Sequence, residues 1–133
     1  MCVFCKIANG EIPAYKVYED DDFLAFLDIS QATIGHTLVI PKKHYENFFA
    51  LEEEKAADLM RVVSKVSKKL KSALAFEAFN LLNNSGALAG QTVNHIHIHL
   101  LPRYENDGLR IEFSGKKLSE KEFKALLEKI NSK

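Results

Sequence analysis

The chain has 133 residues and a formal net charge of zero, with 18 basic and 18 acidic side chains. A chain of this length forms one domain with its own core, and balanced charge without an obvious basic face argues against a general nucleic-acid or anionic-membrane surface. No apolar run reaches the ~18 residues that a membrane helix needs. The first residues, MCVFCK, are not a signal peptide, so we expect a cytoplasmic protein.

The apolar periodicity predicts both strands and helices along the chain. A short turn or helix is predicted at 4–8, strands at 16–19, 23–27, 36–40, 76–82 and 95–101, and a long helix at about 51–74. The residues at helical spacing that predict the buried face of the long helix are Ala56, Leu59, Met60, Val63, Val66, Leu70 and Leu74. A capping box at 119–122 opens a C-terminal helix whose apolar face is Phe123, Leu126, Leu127 and Ile130.

Residues 95–101 read HIHIHLL, a strict alternation of histidine with aliphatic residues. In a half-buried strand this alternation puts His95, His97 and His99 on one face and the aliphatic side chains on the other. The ordinary alternative is three surface histidines, or one hydrogen-bonded core histidine with two exposed neighbours, because a buried imidazole needs a partner. Two functional interpretations compete: an H-x-H pair that chelates a metal and activates water, or a central histidine that acts as a nucleophile. Three rings in a straight row cannot easily complete one tetrahedral site, which leaves at least one ring for other chemistry.

The two cysteines, Cys2 and Cys5, form a C-x-x-C pair at the start of the chain. A redox dithiol normally follows a strand, and no strand is predicted before this pair. A disulfide is not expected in a reducing compartment. The pair is therefore either free or half of a zinc site that needs two further ligands.

The histidine segment resembles the signature of the histidine triad (HIT) family of nucleotide hydrolases and transferases. The flanking residues are also similar to that family: AGQTV at 89–93 precedes the segment and Pro102-Arg103 follows it. A second similar block lies at 28–30 (DIS) and 35–44 (GHTLVIPKKH). The resemblance covers residues 2–104. It implies an α+β HIT fold with a mainly antiparallel sheet of about five strands, one long helix and a C-terminal helix. We expect one domain over residues 1–133, with a variable tail at 105–133, and a homodimer.

The same resemblance implies roles for individual residues. His97 would be the nucleophile, His99 would donate to the phosphate, and Thr92 would contact the leaving group or phosphate. Asp28 matches the residue that holds the ribose hydroxyls of a purine nucleotide. The residues that match the apolar base pocket, each of which could equally be plain core, are Val3, Phe4, Ile7, Phe26, Ile29 and Leu38. Asn84 and Gln91 are assigned to nucleotide binding, with ordinary turn chemistry as the alternative for Asn84 and Thr92.

The resemblance also implies a structural zinc ion. In HIT proteins with a similar C-x-x-C, zinc is bound by the positions that correspond here to Cys2, Cys5, His44 and His95. Four protein ligands leave no place for a catalytic water, so such a site is structural. His36 lies close to the triad in this family, and either a structural hydrogen bond or a phosphate contact fits it.

The expected function is cleavage of the bond to a nucleotide α-phosphate through a nucleotidyl-histidine. Gln91-Thr92-Val93 is similar to dinucleoside polyphosphate hydrolases, whereas Asn84 is more like the adenosine 5′-phosphoramidate hydrolases, so both leaving groups stay open. A zinc-dependent hydrolase with an H-x-H metal site is one alternative. A non-catalytic nucleotide-binding scaffold is the other.

Overall fold

The computed structural model describes residues 2–133. Its elements, in chain order, are helix α1 (Val3–Ala8), strands β1 (Lys16–Glu19), β2 (Phe23–Leu27) and β3 (Thr37–Pro41), a 3₁₀-turn (Phe48–Ala50), helix α2 (Glu53–Leu74), strand β4 (Ala78–Leu82), a second 3₁₀-turn (Ala87–Ala89), strand β5 (Ile98–Arg103) and helix α3 (Glu120–Asn131). No helix among these residues is both long and apolar enough to cross a bilayer.

The five strands form one sheet in the order β1-β2-β3-β5-β4, and every neighbouring pair is antiparallel. The predicted α+β fold with a five-stranded antiparallel sheet is therefore confirmed. Strand β5 lies between β3 and β4, so His99 sits inside the sheet rather than at its edge. The edges of the sheet are β1 and β4.

Side-chain alternation divides the core between the two faces of the sheet. Phe23 and Ala25 of β2 pack with α2 in one buried cluster, which also contains Ile96, Ile98 and Leu100. The intervening residues of β2 and β3 pack with α1 in a second buried cluster, which consists of Phe4, Ile7, Leu24, Phe26, Leu38 and Ile40. Because helices cover both faces, β2 and β3 are apolar along almost their whole length.

The histidine strand is shorter than predicted. Its ladder with β3 begins at Ile98, which pairs with Val39, so His95 and His97 precede it. Other bonds hold that stretch: the Ile96 amide donates to the Tyr45 carbonyl at 2.8 Å. The prediction for 76–82 is likewise wrong by two residues, because β4 begins at Ala78.

The buried face of α2 also differs from the prediction. Leu59, Val63, Val66 and Leu70 are buried as predicted, and Val62 joins them. Met60 and Leu74 are 45 and 38 % exposed, and Ala56 is only partly buried, so these three differ from the prediction. The helix turns a slightly different face to the sheet, which leaves Met60 at the margin of the core.

Candidate active site and metal-ligand cluster

A cavity of about 490 Å³ opens between α1, the end of β2 and the histidine segment. Among the predicted site residues, those that line it are Val3, Phe4, Ile7, Phe26, Asp28, Ile29, Leu38, Thr92, His97 and His99. The residues that line it without having been predicted are Ile12, Pro13, Ala14, Tyr15, Leu27, Ser30 and Val93. The wall is thus mainly apolar, with the two imidazoles and Asp28 as its chemically distinctive groups, which is the usual composition of a small-molecule site.

The tautomer of His97 follows from its partner. Nδ1 of His97 lies 2.8 Å from the backbone carbonyl of His95. A carbonyl oxygen can only accept, so Nδ1 carries the proton and Nε2 of the neutral ring keeps its lone pair. The Asn83 side-chain amide donates to the His97 carbonyl at 3.1 Å, which fixes the backbone on the other side of the ring. His97 therefore presents an unprotonated nitrogen at a cavity wall.

A chain of hydrogen bonds sets the tautomer of His99 in the opposite sense. The Ala32 amide donates to Nδ1 of His36 at 3.2 Å, so the proton of a neutral His36 is on Nε2. That Nε2 lies 2.9 Å from Nδ1 of His99, which must then accept. The remaining proton of His99 is on Nε2. The two triad rings at the cavity thus differ: His97 offers a lone pair and His99 offers an N–H.

Burial favours the neutral forms of His99 and His36. Desolvation, followed by the nearby His97, lowers the pKa of His99 to about 4. Desolvation also lowers the pKa of His36, and the carboxylate of Asp28 partly opposes it, with Oδ2 at 3.7 Å from Nε2 of His36. Since both pKa values lie below the ordinary value, the hydrogen-bond directions given for His36 and His99 hold near neutral pH.

Asp28 lies at the rim of the cavity, just after β2. Its Oδ1 accepts from the Ser30 amide at 2.8 Å, and its backbone amide donates to the His36 carbonyl at 3.0 Å. The other carboxylate oxygen faces His36 at 3.7 Å, beyond hydrogen-bonding distance. The side chain is therefore held in place and still has acceptor capacity for a ligand hydroxyl.

Two of the predicted nucleotide-binding residues, Asn84 and Gln91, do not line the cavity. The Gln91 amide donates to the carbonyls of Glu46 and Val93 at 2.7 and 2.9 Å and accepts from the Gly86 amide at 2.7 Å. Both N–H donors of the Gln91 side chain are therefore already hydrogen-bonded within the protein, where they stabilise the loop. Asn84 packs beside Gly90 in the same loop, where a Cβ on that glycine would lie 3.6 Å from Nδ2. A direct nucleotide contact by either residue stays a prediction.

Asn83 is the residue that sequence reasoning missed in this loop. It holds the His97 carbonyl, and its Oδ1 accepts from the Ser85 hydroxyl at 2.7 Å. That hydroxyl in turn accepts from the Phe48 amide at 3.0 Å. Nothing local in the pair Asn83-Asn84 distinguishes the two amides, because the His97 carbonyl is fourteen residues away in sequence.

A second cluster lies behind the cavity, where Cys2, Cys5, His44 and His95 bring four potential ligand atoms within 4.8 Å of one another. The Sγ atoms of the cysteines are 3.3 Å apart. Nδ1 of His95 lies 3.3 and 3.5 Å from them, and Nδ1 of His44 lies 3.6 and 3.4 Å from them. The structure thus gathers residues from α1, the loop after β3 and the histidine segment into a group that could hold a metal ion.

The donor chemistry of this cluster suits a metal. Nε2 of the fully buried His95 lies 2.8 Å from the Pro41 carbonyl, so Nε2 carries the proton and Nδ1 keeps its lone pair towards the two sulfurs. Burial lowers the pKa of His95, which favours the neutral, ligating form. His44 is exposed, and its Nδ1 completes the group on the solvent side.

Helix α1 connects the two sites. Cys2 caps it, accepting from the Cys5 amide at 3.3 Å. Phe4, in the first turn of the helix, contacts the rings of both His95 and His97 edge-on, with ring centroids 5.9 and 5.1 Å from its own. The residues that could bind a metal and the residues that wall the cavity therefore share one short helix.

Comparisons with known proteins agree with this geometry. The chain is 52% identical over 113 residues to an uncharacterized HIT-like protein of Methanocaldococcus jannaschii (85% of this chain, 87% of that one). It is 43% identical over 133 residues to an adenosine 5′-monophosphoramidase of Schizosaccharomyces pombe (99% and 97%). It is 44% identical over 108 residues to an adenylylsulfatase of Arabidopsis thaliana, of which it covers 55%, while 81% of this chain is aligned.

Solved structures match the whole architecture. A protein of Streptococcus mutans superposes with a TM-score of 0.94 at 46% identity, over 98% of this chain and 83% of that one. A HIT family protein of Bacillus subtilis superposes with a TM-score of 0.93 at 41% identity, over 98% and 95%. A family model described as the HIT domain matches residues 9–106, which include the whole histidine segment and the strands on either side of it. The resemblance seen in the sequence is thereby confirmed, and the chain belongs to the HIT domain family.

Proposed function

We propose that this chain is a nucleotide hydrolase that cleaves the bond to a nucleotide α-phosphate through a covalent intermediate on His97. The observation that carries the proposal is the tautomer of His97: its Nδ1–H is held by the His95 carbonyl at 2.8 Å, so the unprotonated Nε2 is the atom available to an electrophile. Imidazole suits this task because it is nucleophilic when neutral and leaves readily once phosphorylated.

The reaction has two steps. Nε2 of His97 forms a bond to the α-phosphorus, and the bond from phosphorus to the leaving group breaks. The electron pair goes with the leaving atom, which takes up a proton if it is an amine. Water then attacks the same phosphorus, the bond to Nε2 breaks, and the nucleoside monophosphate is released with the ring restored. The Nε2–H of His99 would stabilise charge on the phosphoryl oxygens in both steps.

The rest of the cavity supports a purine nucleotide as substrate. A flat purine base can be buried against the apolar wall, which includes Phe4, Ile7, Phe26 and Leu38. Asp28, at the rim, has free acceptor capacity for ribose hydroxyls, and Thr92 lines the cavity with the two histidines. Asn84 and Gln91 would bind the nucleotide from the neighbouring loop. This part of the proposal has less support, because neither residue lines the cavity.

The relatives favour an adenylyl group with a small leaving group. The fission-yeast relative is named an adenosine 5′-monophosphoramidase, and the plant relative is named an adenylylsulfatase. Both names describe an adenylyl group bonded to a non-nucleotide group. We therefore place adenosine 5′-phosphoramidate ahead of a dinucleoside polyphosphate as the substrate of this chain.

We further propose that the cluster of Cys2, Cys5, His44 and His95 binds a structural zinc ion. Zinc–sulfur bonds of about 2.3 Å and zinc–nitrogen bonds of about 2.0–2.1 Å in a tetrahedron separate the ligand atoms by roughly 3.3–3.8 Å. The four sulfur–nitrogen distances of the cluster, 3.3–3.6 Å, are close to the ~3.5 Å that this geometry gives a sulfur and a nitrogen. The two sulfurs, 3.3 Å apart, would separate by about 0.5 Å to reach the ~3.8 Å of two zinc-bound thiolates. Bound there, the ion would cross-link α1 to the histidine segment and hold the His95 carbonyl that orients His97.

The zinc-hydrolase alternative fits the geometry less well. Nδ1 of His95 faces the cysteines, whereas Nε2 of His97 faces the cavity, so the two rings do not converge as an H-x-H chelate. Within residues 2–133, His97 belongs to neither group of potential metal ligands; the second group is Asp28, His36 and His99. The scaffold alternative predicts tight nucleotide binding without turnover.

Trapping the intermediate tests the proposal. The protein is mixed with adenosine 5′-phosphoramidate, quenched within milliseconds without acid, and digested for mass spectrometry. We expect an acid-labile adenylyl mass on His97, absent in His97→Ala, which should lose at least ~10³-fold in turnover and still bind AMP. An adduct on another residue, or turnover that stops when metal is removed from a protein that stays folded, would contradict the mechanism. Binding without turnover would support the scaffold.

A further inference from the structure

The loop that joins β2 to β3, residues 28–36, carries a group of the candidate site at each of its ends. Asp28, at its start, lies at the cavity rim, and His36, at its end, hydrogen-bonds the His99 ring. The backbone amide of Asp28 donates to the His36 carbonyl at 3.0 Å, so the two ends of the loop meet. A contact that fixes this meeting point therefore fixes both groups.

The side chain of Gln31 lies across the closed loop. Its Nε2 donates to the carbonyls of Asp28 and His36, the second at 2.8 Å. Its Oε1 accepts from the amides of Gly35 and His36, at 2.8 and 3.1 Å. A primary amide has two N–H donors and two acceptor lone pairs. All of them are used here, and they join the start of the loop to its end.

Hydrogen bonds, and not burial, hold Gln31 in this position, since the residue is exposed. An exposed glutamine normally keeps its rotamers free, because ordering it costs side-chain entropy. The backbone groups that Gln31 contacts lie outside the strands, where no ladder provides them with partners. An apolar side chain of the same length could therefore not replace the glutamine.

Gln31 also fixes the first bond of the chain that sets the His99 tautomer. The Ala32 amide donates to Nδ1 of His36 at 3.2 Å, which puts the His36 proton on Nε2 and leaves Nδ1 of His99 to accept it. Ala32 follows Gln31 directly, and the Gln31 side chain holds both the amide and the carbonyl of His36. Both partners of the Ala32–His36 bond are thus placed by one residue.

At the other end of the loop, Gln31 acts on the turn that carries the Asp28 carboxylate. Oδ1 of Asp28 accepts from the Ser30 amide at 2.8 Å, and the Asp28 carbonyl accepts from the Gln31 side chain. The carboxylate and the carbonyl of Asp28 are therefore both held within residues 28–31. This closed turn keeps the carboxylate at the rim of the cavity.

Other contacts anchor the middle of the loop in the domain. The Tyr104 hydroxyl donates to the Ile34 carbonyl at 2.8 Å. Gly35 is buried with a φ of +96°, and a Cβ there would lie 2.5 Å from the Leu74 side chain, so the backbone packs tightly against the end of α2. Because these contacts do not involve Gln31, we expect the domain to fold when residue 31 is replaced.

We propose that Gln31 is a positioning residue whose side-chain amide couples the Asp28 carboxylate to the His36–His99 pair. The role rests on the proposed function, in which Asp28 holds the ribose and His99 stabilises the phosphate. Gln31 itself does not line the cavity, so it acts only through these residues. Its loss should therefore change the ribose contact and the His99 tautomer together.

Gln31→Met keeps the length of the side chain and removes its hydrogen bonds. In the ligand-free variant, nitrogen NMR should show two tautomers of His99, and the Ser30 amide should exchange about tenfold faster with solvent. With adenosine 5′-phosphoramidate, kcat should fall about tenfold, and the preference for AMP over 2′,3′-dideoxy-AMP should fall about threefold. Ile34→Ala removes a 70 % exposed side chain from the same loop and should change none of these values.

Gln31→Glu separates hydrogen bonding from shape. The carboxylate has the shape of the amide and can still accept, but it has no N–H for the carbonyls of Asp28 and His36. This variant should be at least as impaired as Gln31→Met, whereas a side chain that only fills space would tolerate the change. Hydrogen-exchange protection of the β2 and β3 amides measures, in each variant, whether the domain is folded.

Four results would overturn the proposal: a single His99 tautomer in Gln31→Met, a change at only one end of the loop, wild-type behaviour of Gln31→Glu, or loss of strand protection. The last result would make Gln31 a residue of the fold alone. If wild type neither binds AMP nor cleaves the phosphoramidate, the proposed function fails instead. The His99 tautomer and the Ser30 amide, measured without ligand, then still decide whether Gln31 positions both groups.

Discussion

Nε2 of His36 lies 2.9 Å from Nδ1 of His99, and this contact connects two parts of the chain 63 residues apart. Because the Ala32 amide occupies the other nitrogen of His36, the proton between the two rings belongs to His36. His99 must then carry its own proton on Nε2. His36 therefore makes a structural hydrogen bond to His99, which is one of the two roles that the sequence left open; the other was a phosphate contact.

His36→Leu should therefore lower turnover without preventing nucleotide binding. Without a donor at Nδ1, His99 divides between two tautomers, and only one of them offers Nε2–H to the phosphate. We expect kcat to fall about tenfold with a smaller change in KM. Nitrogen NMR of the His99 ring should show the mixed tautomer directly.

His36→Gln is the matched control, since its side-chain amide can still donate to Nδ1 of His99. It should recover most of the turnover and the single tautomer. If the leucine variant keeps full kcat, or if the glutamine variant is equally impaired, then His36 does not act through the His99 tautomer.

The alternation in 95–101 correctly predicted which residues of the histidine segment face the core under α2. Ile96, Ile98 and Leu100 all lie in the cluster under α2, as a period of two requires. The start of the ladder was not predictable, because Tyr45 and Asn83, distant in sequence, hold the backbone before Ile98.

The cavity, too, was predictable only where a local sequence pattern marks its residues, and not where tertiary contacts bring them together. Its wall includes residues 12–15, which join α1 to β1 and have no periodicity that marks them. Asp28 has an evident local partner in Ser30, but its approach to His36 depends on how the loop at 30–36 folds back. Sequence patterns identify strand faces, whereas they do not identify which loop closes over them.

The ribose role of Asp28 can be tested by comparing ligands. Wild type should bind AMP at least ~10-fold more tightly than 2′,3′-dideoxy-AMP, because a hydrogen bond to a charged group contributes about 1.5–3 kcal/mol. Asp28→Ala should remove that difference, and titration calorimetry measures all four affinities. An undiminished preference for AMP in the variant would place the ribose contact elsewhere.

The metal proposal predicts about one zinc ion per chain in protein purified without added metal. Cys2→Ser combined with Cys5→Ser should lose it, since hydroxyls replace both thiolates, and should retain measurable turnover because the ion does not take part in the chemistry. Lys6→Ser, on the exposed side of the same helix, should keep its zinc. Elemental analysis decides between these outcomes, and full zinc content in the double variant would refute the ligand assignment.

The low pKa of His99 predicts how stability depends on pH. Burial lowers this pKa to about 4, against ~6.5 in an unfolded chain. Between those values the unfolded state binds more protons than the folded state, so stability is fully present above pH ~6.5 and declines as pH falls towards about 4. The share due to His99 should be of the order of 2 kcal/mol, allowing for its partial contact with solvent.

His99→Asn removes that titration and leaves the rest of the chain unchanged. Urea unfolding at half-unit steps from pH 7 to pH 4 should therefore give a shallower decline for the variant than for wild type. Titration of the carboxylates and of the metal-ligand cluster is common to both proteins and cancels in the difference, which then reports His99 together with its hydrogen-bond partner His36. Parallel curves for the two proteins would mean that His99 is not held neutral by burial, and the N–H that it offers the phosphate would then have to come from a protonated ring.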